Sequence, residues 1–314
     1  MKAPETGRSA AEFRPEEGAV FDLSSRAKLR LSGADRLRYF NGQISNDLRK
    51  ATEAHVLHAC VLSAKGKINA DVFVAVEGET FVIDSDPGTA EALTARLERY
   101  IIADDVQLEE ITEEFALFHV IAVEAARLLG IGTCRRAERF GLLGIDVWMS
   151  RAEHESGRQA LSQIAPDCDE DCAETFRIER GLPRWGHELT DAIIPNEANL
   201  EARAIDYAKG CYIGQEVISR IKMSGQTNKR LCGLIASDGS TLSPGMRLIA
   251  PGEAGKEVGW LTSVARSARL GRQIALGFVK RGFQDPGSRL EAQAATVTAN
   301  SKPSAVEIVA LPFA

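Results

Sequence analysis

The sequence predicts an α+β fold whose C-terminal part is an all-β barrel. Between residues 55 and 84, three strand-like runs, the second of which alternates between two sets of side chains, are joined by tight turns, which is typical of an antiparallel meander. Elsewhere, strand-like runs are followed by segments with apolar residues at helical spacing. From about residue 229 onward, short apolar runs alternate with Gly, Pro, Ser and Asp, as in barrels and sandwiches. Antiparallel turns between these elements argue against a doubly wound parallel sheet.

The N-terminal elements begin with a strand and a helix. Leu29, Leu31 and the helical pattern after Gly33 predict this pair within residues 29–48, and residues 117–130 repeat the pattern more weakly. Asp86 and Pro87 have the residue types of an N-cap and a first helical position. The predicted strands of the meander cover residues 56–63, 68–76 and 80–84.

Two further helices are predicted over residues 153–164 and 170–180, and Gly181 is placed to end the second. A long loop follows, of a kind that is often functional. We expect a domain boundary near residues 223–230. The later strands are predicted at residues 231–236, 246–250, 258–264, 274–279 and 306–311.

Composition limits the function classes. With 314 residues the chain is long enough for two or three domains, and its net charge of −6 argues against bulk nucleic-acid binding. No apolar run approaches the roughly 20 residues of a membrane span. Residues 1–17 lack the apolar core of a secretory signal, so we expect a disordered lead-in and a cytoplasmic protein.

Six cysteines are scattered along the chain. In a reducing cytoplasm, free thiols are the expectation. Cys168 and Cys172 are the only close pair, and a zinc site would need two more ligands at metal spacing, which the sequence lacks. We therefore predict no metal site.

Cys211 stands in the segment Lys-Gly-Cys-Tyr-Ile-Gly-Gln-Glu, residues 209–216. Gly210 and Gly214 permit unusual backbone angles, and a lysine and a predicted helix start flank the sulfur. Simple packing is the alternative for any cysteine. This setting favours a functional thiol, which could be redox-active, a transient cluster or metal ligand, or a nucleophile toward a one-carbon unit.

This segment, with Arg220 and Lys229-Arg230 after it, resembles the signature of the YgfZ-type folate-binding proteins, which mitochondrial iron–sulfur assembly factors share. These proteins belong to the aminomethyltransferase superfamily of the glycine cleavage T-protein. Residues 62–68, 177–183, 259–263 and 274–279 resemble other segments of that superfamily. The resemblance implies a three-domain ring around a central channel that holds folate. It implies an α+β region over residues 18–225, with a second, intertwined subdomain at about 50–145, and a barrel over 226–314.

The resemblance also implies ligand-binding residues. Glu179 matches an acid that hydrogen-bonds the pterin ring, and the alternative is a solvated acid between two arginines. Asp71 matches one of two adjacent aspartates of T-proteins, but residue 70 is alanine here, and an outward-facing strand acid is the alternative. The further residues assigned to tetrahydrofolate binding are Lys209, Tyr212, Gln215 and Arg220, the last of which could equally form an exposed helix pair with Glu216.

Three functions remain from the sequence. The leading one is a tetrahydrofolate-binding accessory protein for iron–sulfur cluster assembly or repair, with Cys211 as its essential thiol and assembly or client proteins as partners. The second is a folate-dependent aminomethyl or one-carbon transferase, which the single aspartate at residue 71 weakens. The third is a tRNA-modification factor that uses a basic cluster formed by Arg220, Lys222, Lys229 and Arg230.

Overall fold

A computed structural model describes residues 14–237, 241–252, 255–294 and 303–313. Its strands form two five-stranded sheets and one closed barrel. The strands are β1 Ala19–Asp22, β2 Ala27–Ser32, β3 Leu57–Leu62, β4 Ile68–Glu77, β5 Thr80–Ser85, β6 Gln107–Glu110, β7 Phe115–Ile121, β8 Thr133–Glu138, β9 Leu143–Ser150, β10 Asp167–Cys168, β11 Lys229–Ala236, β12 Arg247–Ile249, β13 Glu257–Ser267, β14 Arg272–Lys280, β15 Arg289–Gln293 and β16 Ser304–Val309. The α-helices are α1 Arg36–Asn41, α2 Ala90–Glu98, α3 His154–Ser162, α4 Glu170–Glu179, α5 Glu201–Ala204 and α6 Gln215–Ser224.

The first sheet has the antiparallel order β3-β4-β5-β2-β6. Because side chains alternate along a strand, β4 separates its residues onto two faces. Val72 and Val74 join the core that α1 and α2 cover. Asp71 and Phe73 point to the opposite face, where they line a cavity. The alternation that predicted the strand therefore also separates core residues from cavity residues.

The second sheet has the order β10-β1-β7-β9-β8. Its β1–β10 pair is parallel, and the remaining pairs of this sheet are antiparallel. Val20, Phe118 and Val147 belong to a core on one side, against which α3 contributes Leu161. Phe21 on β1 stacks on Phe140 from the turn after β8, with 4.2 Å between ring centroids. These rings face the cavity that the first sheet also lines.

The C-terminal strands close into a six-stranded antiparallel barrel of order β11-β14-β13-β12-β15-β16. Its interior is filled by buried aliphatic side chains, including Leu234, Leu248, Val258 and Ile308. The predicted α+β class, with mostly antiparallel sheets and an all-β barrel at the C-terminal end, is confirmed. The exact domain boundaries stay predictions.

Several local predictions need correction. Helix α2 begins at Ala90 with Thr89 as its N-cap residue, because Gly88 adopts φ +75° and the Pro87-Gly88 pair forms a turn before the helix. The expected helix after β7 is a short 3₁₀ helix, Ala125–Leu128. The disordered lead-in falls mostly outside the described residues, which begin with a 3₁₀ turn at Pro15–Glu17. Within the described ranges, no helix has the length and apolarity to cross a membrane.

Candidate functional site

A cavity of about 650 Å³ lies where the inner faces of the two five-stranded sheets meet helix α4. Its wall includes aromatic rings such as Phe73 and Phe140. Acidic and basic side chains from widely separated segments stand between these rings, among them Asp71, Glu174 and Arg203. Concave, partly aromatic pockets with a few converging polar groups are the usual sites for small ligands.

Asp71 on β4 and His58 on β3 both line the cavity. His58 Nε2 lies 2.6 Å from Asp71 Oδ1, and the imidazole stacks on Phe73 with ring centroids 4.4 Å apart. The second imidazole nitrogen, Nδ1, is buried without a hydrogen-bond partner among the described residues. Ala70 is fully buried in the core on the other face. A carboxylate at residue 70 would therefore point away from the cavity that Asp71 lines.

A buried ion network holds the two sheets together beside this cavity. Arg139 from the turn after β8 donates to Asp84 Oδ2 at 2.8 Å and to Asp146 Oδ2 at 2.7 Å. His119 Nδ1 lies 2.8 Å from Asp146 Oδ1. The Arg139 guanidinium also stands 4.3 Å from the centroid of Phe73. Because Asp84 belongs to the first sheet and Asp146 to the second, one guanidinium links both sheets.

The ionisation of this network follows from burial and charge. Burial alone would raise the pKa of Asp146, but Arg139 and His119 outweigh it and hold the pKa at about 2. Burial also opposes ionisation of Asp84, whose pKa is nevertheless lowered, mainly by Arg139 and Arg26. Burial lowers the pKa of His119, so its imidazole is neutral. The carboxylates of Asp84 and Asp146 are therefore charged at neutral pH.

Helix α4 supplies charged residues to another side of the cavity. Glu174 accepts hydrogen bonds from Arg177 and pairs with Arg184 at 3.1 Å. Arg177 reaches further, to buried Glu188 at 3.0 Å and to the Ser263 hydroxyl of the barrel at 2.6 Å. Sequence reasoning missed Glu174, because a run of charges on a helix is typical of a solvated surface, and it missed Glu188, which lies in the loop after α4.

Glu179 is the last residue of α4 and is not among the residues that line the cavity. Its carboxylate accepts a hydrogen bond from the Ser267 hydroxyl on β13, and its backbone carbonyl accepts one from Phe313 N–H. The carboxylate that α4 brings to the cavity next to its arginines is Glu174. A ligand-binding role for Glu179 stays a prediction.

The expectation of free thiols at residues 168 and 172 is wrong in this structure. Cys168 at the end of β10 and Cys172 in the first turn of α4 form a disulfide. Asp169 caps the helix by accepting the Cys172 N–H at 2.8 Å, and this brings the two cysteines onto one short turn. Cys168 is one of the residues that line the cavity.

Cys211 is exposed, in the loop that leads into α6. Gly214, at φ +88°, caps the helix so closely against the first sheet that a Cβ there would lie 2.7 Å from the Ser63 carbonyl oxygen. The loop conformation therefore requires glycine, as the sequence indicated. Cys211 is not among the residues that line the cavity, and a functional role for its thiol stays a prediction.

The Lys209 ammonium donates hydrogen bonds to three backbone carbonyl groups. Its Nζ donates to the carbonyl oxygens of Asn41, Ile44 and Asn46 at 2.6, 2.7 and 2.7 Å. Burial lowers the pKa of Lys209 to about 8, so the ammonium persists at neutral pH. All three of its N–H donors are thus directed to the chain itself. Tyr212 is buried beneath it, with Nζ 5.0 Å from the ring centroid.

The remaining predicted residues lie on or near α6. Gln215 is its first residue, half-buried and outside the cavity lining. Arg220 pairs with Glu216 at 2.8 Å on the exposed face. In the structure Arg220 therefore forms the exposed helix pair with Glu216. Its assignment to tetrahydrofolate binding stays a prediction.

The basic cluster that suggested RNA binding is largely neutralised. Besides the Arg220–Glu216 pair, Lys229 lies 3.5 Å from Glu197 and Arg230 lies 2.8 Å from Glu201. Lys222 rests 4.8 Å from the ring centroid of Tyr207. Paired cations give little of the electrostatic attraction on which binding to phosphate backbones depends.

Comparison with known proteins decides the family. The glycine cleavage T-protein C-terminal barrel domain matches residues 229–314, and the GCVT N-terminal domain matches residues 8–140. The chain belongs to the glycine cleavage T-protein superfamily. A solved T-protein structure, the aminomethyltransferase T of the Bartonella henselae glycine cleavage system, has the same fold with a TM-score of 0.80. That similarity covers 95% of this chain and 86% of the other, at 16% sequence identity.

Two groups of curated relatives are similar to this T-protein homologue. An aminomethyltransferase of Saccharopolyspora erythraea is 24% identical over 324 residues, covering 94% of this chain and 86% of the relative. An iron–sulfur cluster assembly factor of Pyricularia oryzae, a mitochondrial IBA57 homologue, is 27% identical over 229 residues. That second alignment covers 69% of this chain and 57% of the relative. The relatives therefore include both an enzyme and an assembly factor.

Proposed function

We propose that the cavity binds a reduced folate, tetrahydrofolate or a derivative of it, and that the protein assists iron–sulfur cluster assembly or repair. The observation that carries the first part is the lining of the cavity. An aromatic surface formed by His58 and Phe73 lies beside the carboxylate of Asp71, and the carboxyl group of Asp86 lines the same cavity. A pterin ring is flat and carries several N–H donors, which carboxylates accept well.

Buried polar atoms without hydrogen-bond partners support the proposal that the cavity binds folate. Within the described part of the chain, Arg26 Nη2 and His58 Nδ1 are buried and make no hydrogen bond. Such atoms are costly in an unliganded protein, and a ligand with complementary groups would remove that cost. Arg203 also lines the cavity, and its guanidinium has no described ion pair, so it is available to a folate carboxylate. Tetrahydrofolate, once bound, would supply the one-carbon chemistry known for folates.

The assembly role is supported by the exposed thiol. Cys211 is accessible at the surface and lies outside the cavity lining, so its sulfur is placed to meet a macromolecular partner. The similarity to an iron–sulfur cluster assembly factor points the same way. Within the described ranges, His, Cys, Asp and Glu side chains do not gather into a metal site, so Cys211 would act on a cluster together with groups from that partner.

The test is genetic complementation. In a strain that lacks this protein, Cys211→Ser is expected to leave the activity of cluster-containing enzymes low, whereas Cys134→Ser, which changes a half-buried free thiol, restores it. Purified Cys211→Ser should still bind tetrahydrofolate, because its side chain is outside the cavity. Full restoration of enzyme activity by Cys211→Ser would disprove the thiol role.

A second candidate function is folate-dependent aminomethyl transfer. Asp71 favours it, because this carboxylate faces the cavity and His58 holds it in place. A positioned acid or base typically contributes about 10²–10⁴-fold to a rate. Formation of methylenetetrahydrofolate from an aminomethyl-lipoyl carrier protein, lost in Asp71→Asn, would establish this function. If wild-type protein gives no product, this candidate fails.

A further inference from the structure

In the ion network between the two sheets, Arg26 and Arg139 are shared among three aspartates, Asp84, Asp86 and Asp146. Arg139 is shared by Asp84 and Asp146 in well-formed hydrogen bonds. Arg26 donates its Nε–H to Asp84 and approaches Asp86 Oδ1 only to 3.6 Å, beyond hydrogen-bond distance. Asp86 is therefore the carboxyl group of this set that both arginines leave without a hydrogen bond.

The surroundings of Asp86 isolate its carboxyl group further. The residue is 9% exposed and lines the cavity. The Thr89 hydroxyl and amide donate to the Asp86 backbone carbonyl, at 2.6 and 3.3 Å, and not to the side chain. Among the described residues, no donor makes a hydrogen bond to the carboxyl oxygens. An ionised carboxylate in such a place would carry a large desolvation cost.

The charged groups around Asp86 do not offset the desolvation cost of ionising its carboxyl group. Asp71 on β4 and Asp84 on β5 add negative charge near Asp86, while Arg26 and the more distant Arg184 oppose it. The buried ammonium of Lys28 is directed to carbonyl oxygens of the loop after β1 and not to Asp86. Burial, followed by these acidic neighbours, raises the pKa of Asp86.

We propose that Asp86 is a ligand-contacting acid of the cavity, which keeps its proton and donates a hydrogen bond to a carbonyl oxygen or unprotonated ring nitrogen of the bound molecule. This deepens the proposed function, because a 2-amino-4-oxo ring offers such acceptors beside its N–H donors. Asp71 would accept from the donors and neutral Asp86 would donate to the acceptors. A bound ligand also excludes the remaining water, which favours the neutral acid further.

The first test is the pH dependence of tetrahydrofolate affinity, measured by anaerobic calorimetry between about pH 5 and pH 8. Only the protonated acid donates, so wild-type affinity should fall as pH rises above the pKa of Asp86 in the free protein, and should level off above its pKa in the complex. The asparagine side chain of Asp86→Asn donates without titrating, so the affinity of this variant should not fall in this way. The variant should also take up fewer protons on binding than wild type does. Asp86→Leu cannot donate and should bind about tenfold more weakly at low pH. The same pH dependence in wild type and Asp86→Asn would overturn the proposal.

A ligand-free measurement separates this inference from the proposed function. The Asp86 carboxyl resonance, assigned in ¹³C-labelled protein by its absence in Asp86→Asn, should titrate above the ordinary midpoint of about 3.9. A midpoint at or below that value would overturn the proposal whether or not folate binds. If Asp86 titrates high but no variant binds tetrahydrofolate at any pH, the folate assignment fails, and with it the contact proposed for Asp86.

Discussion

Replacing Arg139 by methionine is expected to lower the free energy of unfolding by about 3–5 kcal/mol, the usual cost of leaving a buried charge without its partner. The guanidinium is almost fully buried and is the common partner of Asp84 and Asp146. Methionine fills similar space but removes the cation that the two carboxylates share, so that, among the described residues, Asp84 keeps only its contact with Arg26 and Asp146 only its contact with His119. Urea unfolding followed by circular dichroism measures the loss.

A matched control and a pH series sharpen this test. Arg136→Met changes an exposed arginine on β8 and should alter stability by less than about 0.5 kcal/mol. The pKa of Asp146 is held at about 2, below its unfolded value, so the ion pair stabilises the protein above about pH 4, where an unfolded aspartate is ionised. That stabilisation is lost as pH falls toward 2, and the difference between wild type and Arg139→Met should shrink with it. A loss below about 1 kcal/mol at neutral pH would contradict the importance of this network.

Ala173→Trp is expected to abolish tetrahydrofolate binding while the protein stays folded. Ala173 lies on α4 and lines the cavity, so an indole at this position would occupy space that the ligand needs. Ala202→Trp is the matched control, because that alanine is exposed on α5. Calorimetry should give one-to-one binding for wild type and Ala202→Trp and no measurable heat for Ala173→Trp. Equal binding by all three proteins would place the ligand outside this cavity.

Much of the fold could be predicted because apolar runs, turns and glycine positions in the sequence indicate its strands and helices. The strands β3, β4 and β5 could be found as apolar runs separated by tight turns, and the glycine at residue 214 marks a helix start that admits no Cβ. By contrast, β1 and β10 are only four and two residues long, and their pairing depends on contacts about 147 residues apart in the chain. Nothing local predicts a strand of two residues.

The site was harder to predict, because its residues come together only in the folded chain. Cys211 is singled out by its immediate neighbours in the sequence and is exposed in the structure, while its functional role stays a prediction. Arg139, however, stands in a charged segment that looks solvated, and it meets Asp84 across 55 residues. His58 likewise reaches Asp71 through strand pairing. Buried charge pairs of this kind depend on tertiary packing, which residue spacing does not report.

The most direct test of the central claim is a crystal structure of the protein with tetrahydrofolate. The account predicts the pterin ring in the 650 Å³ cavity, next to Phe73 and within hydrogen-bond distance of Asp71 and Asp86. Folate bound at another surface, or a cavity that stays without ligand at saturating tetrahydrofolate, would contradict it.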